Sequence, residues 1–342
     1  MQDLQQLIFR LCSAPGLPGD EHRAAQAASE ELSKYGQVSI DAMGNLIAKM
    51  GDQKAKTQLM LDAHMDQVGL VVTGITDLGF LKIANCGGMD RRILPGSPVI
   101  IYGKEILHGI VCCLPPHLVE GGEEKIVPID KMCIDAGLSA EKAKELVQPG
   151  DHIIVNGEPR ALIGSRVTAA ALDDRAGVAA LIRCAELLKD AKLNCGLTIL
   201  LSGREETGEQ GARTGAYSIY PTEAIMVDVS FAEQPQVPEH KCGHLSKGPM
   251  IGIAPSLNTG MTKKLIAIAK EQDIPCQFEV MGGETGTNAD PVGVTREGVR
   301  TALVSIPLRY MHTPVEVIDI NDVEHTARLL AEYIQGVQEW RI

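Results

Sequence analysis

Leu172-Asp173-Asp174-Arg175-Ala176-Gly177 is the stretch on which the reading of this chain turns. An apolar lead-in, residues 167–172, runs into two adjacent carboxylates, and a helix-forming run, residues 176–189, follows them. Like charges side by side repel, so an Asp-Asp step in apolar surroundings needs an offsetting charge. A bound cation supplies one, because an ion reverses the local charge logic. The plainer alternative is an exposed helix N-cap, where Asp173 or Asp174 meets the positive end of the helix dipole. The rest of the chain weighs against that alternative.

Working outward, the same kind of residue follows one predicted strand after another. The apolar run 59–63 leads to His64 and Asp66, and strand 197–202 leads to Glu205 and Glu206. Strand 224–229 carries Asp228 near its end, and strand 301–306 is followed by His312. Helices are predicted at 176–189, 208–218, 261–271, near 289–296 and at 321–337, with a further strand at 277–280. Near the N-terminus, Leu4, Ile8 and Leu11 have helical spacing, Asp20 is expected to cap a helix over 20–35, and strands 38–41 and 46–49 flank Met43-Gly44-Asn45. Strands alternating with helices predict an α/β fold, a mostly parallel sheet with helices on both faces. Ligands in such folds bind at the carboxyl ends of the strands, where the acids and imidazoles gather.

From residue 69 to 163 the texture changes to short β-like runs broken by glycine and proline: 69–73, 98–102, 106–111 and 152–155. One helix, 140–146, interrupts them with Ser139 as its cap, residues 102–104 suggest a hairpin turn, and 117–131 reads as a polar loop. The expectation is a main α/β domain from 1–68 and 164–342, with 69–163 as an inserted small β-rich domain.

The chain has 342 residues, enough for one or two domains. Hydrophobic residues make up 44% and aromatics only 3%, so the core is aliphatic. A net charge of -12 argues against nucleic acid and against an anionic membrane surface as partners. Residues 1–4 lack the basic and apolar regions of a signal peptide, and no apolar run approaches the roughly 20 residues of a membrane span. Nine cysteines without a CxxC pair argue against a structural thiolate zinc site. They are expected to be reduced, mostly buried thiols in a cytoplasmic protein.

Two histidines and several carboxylates on one rim, with no sulfur, suit two divalent ions such as zinc, cobalt or manganese. Two ions in that setting suit hydrolysis. Asp66, two residues after His64, suits a carboxylate that orients a ligating imidazole. Glu205 and Glu206 point in different directions as neighbours, so one can bind metal while the other reaches a water. Singly, each of these residues has an ordinary explanation as a buried histidine, a solvated acid or a turn cap. Their shared position at strand ends makes coincidence improbable.

The chain resembles the cocatalytic metallo-aminopeptidases, which include TET aminopeptidases, bacterial glutamyl aminopeptidase and proteins once called cellulase M or endoglucanase. The resemblance rests on Asp62-Ala63-His64-Met65-Asp66, Ala171 to Gly177, Glu205-Glu206-Thr207-Gly208, Val227-Asp228 and His312-Thr313-Pro314-Val315-Glu316. Gly87-Gly88-Met89-Asp90, Leu94-Pro95-Gly96 and Pro115-Pro116-His117-Leu118 also fit. It implies an aminopeptidase that removes N-terminal residues from peptides. Asp173 would bridge two ions, His64 and Asp228 would hold one, and Glu206 and His312 the other. Glu205 would be general base and acid, Asp66 would orient His64, and the Asp173-Asp174 peptide would be cis. The insert would pair subunits of a homo-oligomer, with twelve-subunit tetrahedra among the assemblies. Gln67, Asn288 and Thr313 stand where glutamate, aspartate and serine are common, and Asn288 lies in the loop 282–290 that approaches substrate in this family. Two rival readings are a glycoside hydrolase and a non-catalytic self-assembling metal-binding protein. A glycosidase would leave the histidines and the Asp-Asp step unexplained, and the chain has one Trp and six Tyr to offer as sugar platforms.

Overall fold

Two amphipathic helices, α1 (Gln2–Cys12) and α2 (His22–Leu32), precede strands β1 (Gln37–Ile40), β2 (Leu46–Gly51) and β3 (Gln58–His64) in the computed structural model, which describes residues 2–115 and 126–337. Asp20 does not cap α2. It pairs with the His22 ring, and the residue before the helix, Glu21, turns its carboxylate to the amides of Gly19 and Arg204. The other Asp20 oxygen lies 3.5 Å from His152 Nδ1 of the barrel, so the side chain that local spacing assigned to the helix end faces two imidazoles instead.

Six strands follow: β4 (Gly69–Ile75), β5 (Leu81–Cys86), β6 (Pro98–Tyr102), β7 (Ile106–Cys112), β8 (Cys133–Asp135) and β9 (His152–Val155). They close into a barrel in the order β4-β5-β8-β7-β6-β9. Alternate residues such as Leu70, Val72, Val99, Ile101, Ile134 and Ile153 fill its interior. Closure leaves no open sheet edge, so short strands suffice. Helix α3 (Ala140–Leu146) is capped by Ser139, which accepts from the Lys142 amide, and buries Ala143 and Leu146 against the barrel core. Part of the expected loop, 117–125, lies outside the described residues, as do Pro116, His117 and Leu118. Residues 129–131 form a single 3-10 turn.

The chain then forms β10 (Arg160–Ala161), β11 (Arg166–Ala169), α4 (Leu172–Leu188), β12 (Gly196–Ser202), α5 (Gln210–Ile219), β13 (Glu223–Phe231) and β14 (Met250–Ile253). It ends with α6 (Thr259–Glu271), β15 (Gln277–Val280), α7 (Ala289–Gly293), β16 (Arg300–Leu308), β17 (Glu316–Asp319) and α8 (Ile320–Gln335). An eight-stranded sheet runs β1-β2-β12-β3-β13-β16-β14-β15, and β10, β11 and β17 form a small sheet beside it.

The main sheet is mixed rather than mostly parallel. Its centre, β12-β3-β13-β16, and the outer pair β14-β15 are parallel, but β1-β2, β2-β12 and β14-β16 are antiparallel. Helix–strand alternation reports only strands joined by crossovers. The β1–β2 hairpin necessarily reverses direction, and β14 carries no helix–strand signal of its own. Helices do cover both faces. Leu59, Leu61 and Ala63 of β3 point into the core shared with α1, α2, α4, α6 and α8, and Met60 points to the core shared with α5 and α7. All nine cysteines are free, but only Cys184 and Cys195 are buried. The other seven are half-buried, several at barrel strand ends where cover is incomplete. No helix among the described residues is long and apolar enough to cross a membrane.

Candidate metal centre

Strand register brings the first pair together. Met226 of β13 lies opposite Asp62 of β3 in parallel pairing, which sets Asp228 level with His64 at the same sheet end. The His64 Nε2 atom is 3.9 Å from Asp228 Oδ1. Asp173 comes from the other side, at the start of α4, where Asp173 and Asp174 have non-helical dihedrals and are joined by a cis peptide, as the resemblance implied. Its Oδ1 is 3.0 Å from His64 Nε2, and its Oδ2 is 3.5 Å from His312 Nε2. His312 Nε2 is also 3.4 Å from Glu206 Oε1. One carboxylate thus stands between two imidazoles, each of which has a further carboxylate beside it.

Both rings are oriented by backbone carbonyls. His64 Nδ1 lies 3.1 Å from the Asp66 carbonyl, and His312 Nδ1 lies 3.0 Å from the Gly88 carbonyl. A proton on each Nδ1 satisfies these contacts and leaves each Nε2 lone pair facing the carboxylates, the tautomer that a metal-binding imidazole requires. Gly88 lies in the loop that follows barrel strand β5, so that loop reaches the centre. A Cβ at position 88 would fall 2.7 Å from His312 Nδ1, which only glycine avoids.

A layer of buried acids holds this arrangement. The two oxygens of Asp66 accept the backbone amides of Glu205 and Glu206, at 3.0 and 3.1 Å. That carboxylate is also 3.6 Å from His64 Nδ1, so it braces both the imidazole and the glutamate pair. Glu316 does the same elsewhere: it accepts the amides of Asp173 at 3.1 Å and His312 at 2.9 Å. Asp174 Oδ1 accepts from the Gly177 amide, so it does cap the helix, but inside the protein. Its Oδ2 is buried without a hydrogen-bond partner. Sequence reading gave Glu316 no role and offered Asp174 only as an exposed cap. Each closes or follows a motif whose first functional member, His312 or Asp173, had drawn attention.

The charge balance suits cations. Burial pushes the Glu205 carboxyl up to about 7, with His64 opposing and Asp173 adding to the rise. Burial and then Asp173 push Glu206 up to about 10. Asp174, Asp228 and Glu316 are likewise held well above the usual carboxylate range, burial first, with Asp228 the next cause for Asp174 and Asp173 the next acid for Glu316. His64 is raised although burial opposes it, because Asp173 and Asp66 hydrogen-bond to it. So many acids deprotonate together only with positive charge among them. The sets His64-Asp173-Glu206 and His64-Asp174-Asp228 each place one ligand atom per residue within 4.8 Å of one another. Oxygen and imidazole nitrogen without sulfur fit zinc, cobalt or manganese.

His64, Asp173, Glu205, Glu206, Asp228 and His312 open on a cavity of about 320 Å³, also lined by Ser230, Phe231, Glu279, Leu303, Ser305 and the loop Thr285-Gly286-Thr287. Asp290 holds that loop by accepting the amides of Thr285 and Gly286. Asn288, next in sequence, donates to Asp62 at 2.8 Å and to Ser202 at 3.0 Å in the buried layer. Thr313 uses its hydroxyl as a serine would, donating to the Tyr310 carbonyl at 2.6 Å. Gln67 is buried at the edge of a smaller neighbouring cavity.

The profile of the M42 glutamyl aminopeptidase family matches residues 44–329. The chain belongs to this family. The expected resemblance therefore holds, and the activity of the family is that of an aminopeptidase, a hydrolase of peptide bonds. A lysyl aminopeptidase of Pyrococcus furiosus is 33% identical over 340 residues, 97% of each chain. Among solved structures, an aminopeptidase of Desulfurococcus kamchatkensis superposes with a TM-score of 0.92 at 30% identity, covering 98% of this chain and 95% of that one. The TET1 peptidase of Pyrococcus horikoshii, described as assembling into a tetrahedron or a large octahedral shell, gives 0.87 at 31% identity over 98% of this chain and 100% of that one. This M42 chain thus carries its acids and histidines on a fold shared from end to end.

Proposed function

We propose that this M42 aminopeptidase works with two divalent cations, zinc, cobalt or manganese, and removes N-terminal residues from peptides. His64, Asp173 and Asp228 would hold one ion, and Glu206, His312 and the same Asp173 the other. The observation that carries this reading is Asp173, whose two oxygens face His64 Nε2 at 3.0 Å and His312 Nε2 at 3.5 Å. Bound there, the ions supply Lewis acidity toward a carbonyl and ease deprotonation of water. Glu205 lines the same cavity and is the general base and acid. Its carboxylate takes a proton from the attacking water and delivers it to the leaving amine. Asp66 fixes where that carboxylate stands through the Glu205 amide.

Residues 69–163 form a separate domain in this reading, and it pairs subunits into a homo-oligomer, up to a dodecamer. Its own apolar core inside a closed barrel and the assemblies of the Pyrococcus horikoshii peptidase support that. Nine free thiols support the cytoplasm as its compartment.

The decisive experiment compares Glu205→Gln with Glu206→Gln, which a reading without distinct roles would treat alike. Glu205→Gln is expected to keep its metal content while turnover of aminoacyl-p-nitroanilides falls about 10²–10⁴-fold. Glu206→Gln is expected to lose one ion and to recover partly at high metal concentration. The reverse pattern of metal loss would overturn the assignment, as would hydrolysis of carboxymethylcellulose in place of the anilides.

A further inference from the structure

The cavity continues past the ligand candidates. Besides Asp228 it is lined by Ser230, Phe231, Leu303 and Glu279. Glu279 stands on β15, at the edge of the main sheet, yet its carboxylate is clasped from the sheet interior. Ser230 of β13 hydrogen-bonds to Oε1, and Ser305 of β16 donates to Oε2 at 2.7 Å. Both serines are buried. The two hydroxyls fix the carboxylate in one orientation, but they bring no positive charge, and each oxygen keeps a lone pair for another donor. Among the described residues lining the cavity there is no lysine and no arginine.

We propose that Glu279 selects the N-terminal side chain of the substrate, and that this chain prefers a basic one, lysine or arginine. The proposal rests on the aminopeptidase reading and names its substrate class. An acidic side chain entering the cavity would meet like charge with no lysine or arginine to receive it. A leucine side chain would strip water from Glu279 and give no hydrogen bond in return. A lysine ammonium or an arginine guanidinium would donate to the clasped carboxylate in a charge-assisted bond. Phe231 and Leu303 give the methylene stem of such a side chain an apolar wall to lie on.

The test uses the full-length, metal-supplemented protein and the p-nitroanilides of lysine, arginine, leucine and glutamate. Wild type is expected to give its highest kcat/KM with lysine and arginine and its lowest with glutamate. In Glu279→Gln, which keeps the shape and can still meet both serines, the lysine-to-leucine ratio of kcat/KM is expected to fall about 10–100-fold, mostly through KM. Glu279→Asp, which keeps the charge, is expected to restore part of the ratio. A purely structural glutamate would scale lysine and leucine substrates together and leave the ratio unchanged, which overturns the proposal. A wild type that favours leucine or glutamate overturns it as well. Calorimetric binding of L-lysinamide and L-leucinamide to wild type and Glu279→Gln separates this claim from the wider one. If no anilide of any class is cleaved, the aminopeptidase reading fails, while selective loss of lysinamide binding in Glu279→Gln still supports Glu279. Equal lysinamide binding by the two proteins overturns it.

Discussion

Replacing Asp62 with asparagine should stabilise this protein, and only above mildly acidic pH. Asp62 is fully buried on β3, where its Oδ2 accepts from Asn288 Nδ2 at 2.8 Å while its Oδ1 has no partner. Asn288 Oδ1 is a second acceptor there without a donor. Burial pushes the Asp62 carboxyl from its ordinary 3.8 up to about 6, even though Ser202 and Asn288 hydrogen-bond to its charged form. Between those two values the folded chain holds a proton that the unfolded chain has released. Stability is therefore undiminished below 3.8, falls as pH rises through the window, and stays lower above about 6. A shift of that size corresponds to about 3 kcal/mol at most. An amide in place of the carboxylate does not titrate, and its NH₂ offers a donor to a site rich in acceptors. Asp62→Asn should therefore gain about 1–3 kcal/mol over wild type at pH 8, a few degrees in Tm, and nearly nothing at pH 4. Thermal melts of both proteins stripped of metal by chelator, across that pH range, make the measurement. A variant less stable at pH 8, or a difference independent of pH, would refute the reasoning. The same contact makes sense of Asn288. An aspartate there would set a second buried carboxylate against Asp62.

Exhaustive chelation should abolish aminopeptidase activity, and added zinc, cobalt or manganese should restore it; full turnover in protein shown by elemental analysis to be metal-free would contradict the proposed centre. Asp66→Asn leaves one acceptor for two amides and turns a donor toward the other, so metal affinity or turnover should drop about 10–100-fold. Unchanged values for both would remove Asp66 from the centre. Gly88→Ala sets a methyl against the His312 ring, at a cost of about 1–3 kcal/mol. Ion retention and activity should suffer more than the melting temperature, and an unaffected metal stoichiometry with normal turnover would show that the barrel loop does not position His312.

The sequence alone picked out the acids and histidines that the structure brings together and the sheet end at which they meet. Leu172-Asp173-Asp174, the Glu205-Glu206 pair and two histidines after apolar runs were legible because a strand's carboxyl end and a helix start are local features, readable from periodicity and punctuation. Strands 98–102, 152–155 and 277–280 and helix 140–146 have the observed bounds for the same reason. What only the tertiary structure decided depends on partners far apart in the chain. Sheet direction at β2 and β14 follows from which strands pair, and closure of the barrel follows from β9 returning to β4. The roles of Glu316 beside Asp173 and of the Gly88 carbonyl beside His312 exist only because segments more than a hundred residues apart meet. Glu279 too depends on residues of other strands, 49 and 26 positions away. On its own strand it is an ordinary edge acid, and it becomes part of the cavity wall because its side chain reaches across β14, where Gly252 lies opposite it, to the hydroxyls of Ser230 on β13 and Ser305 on β16.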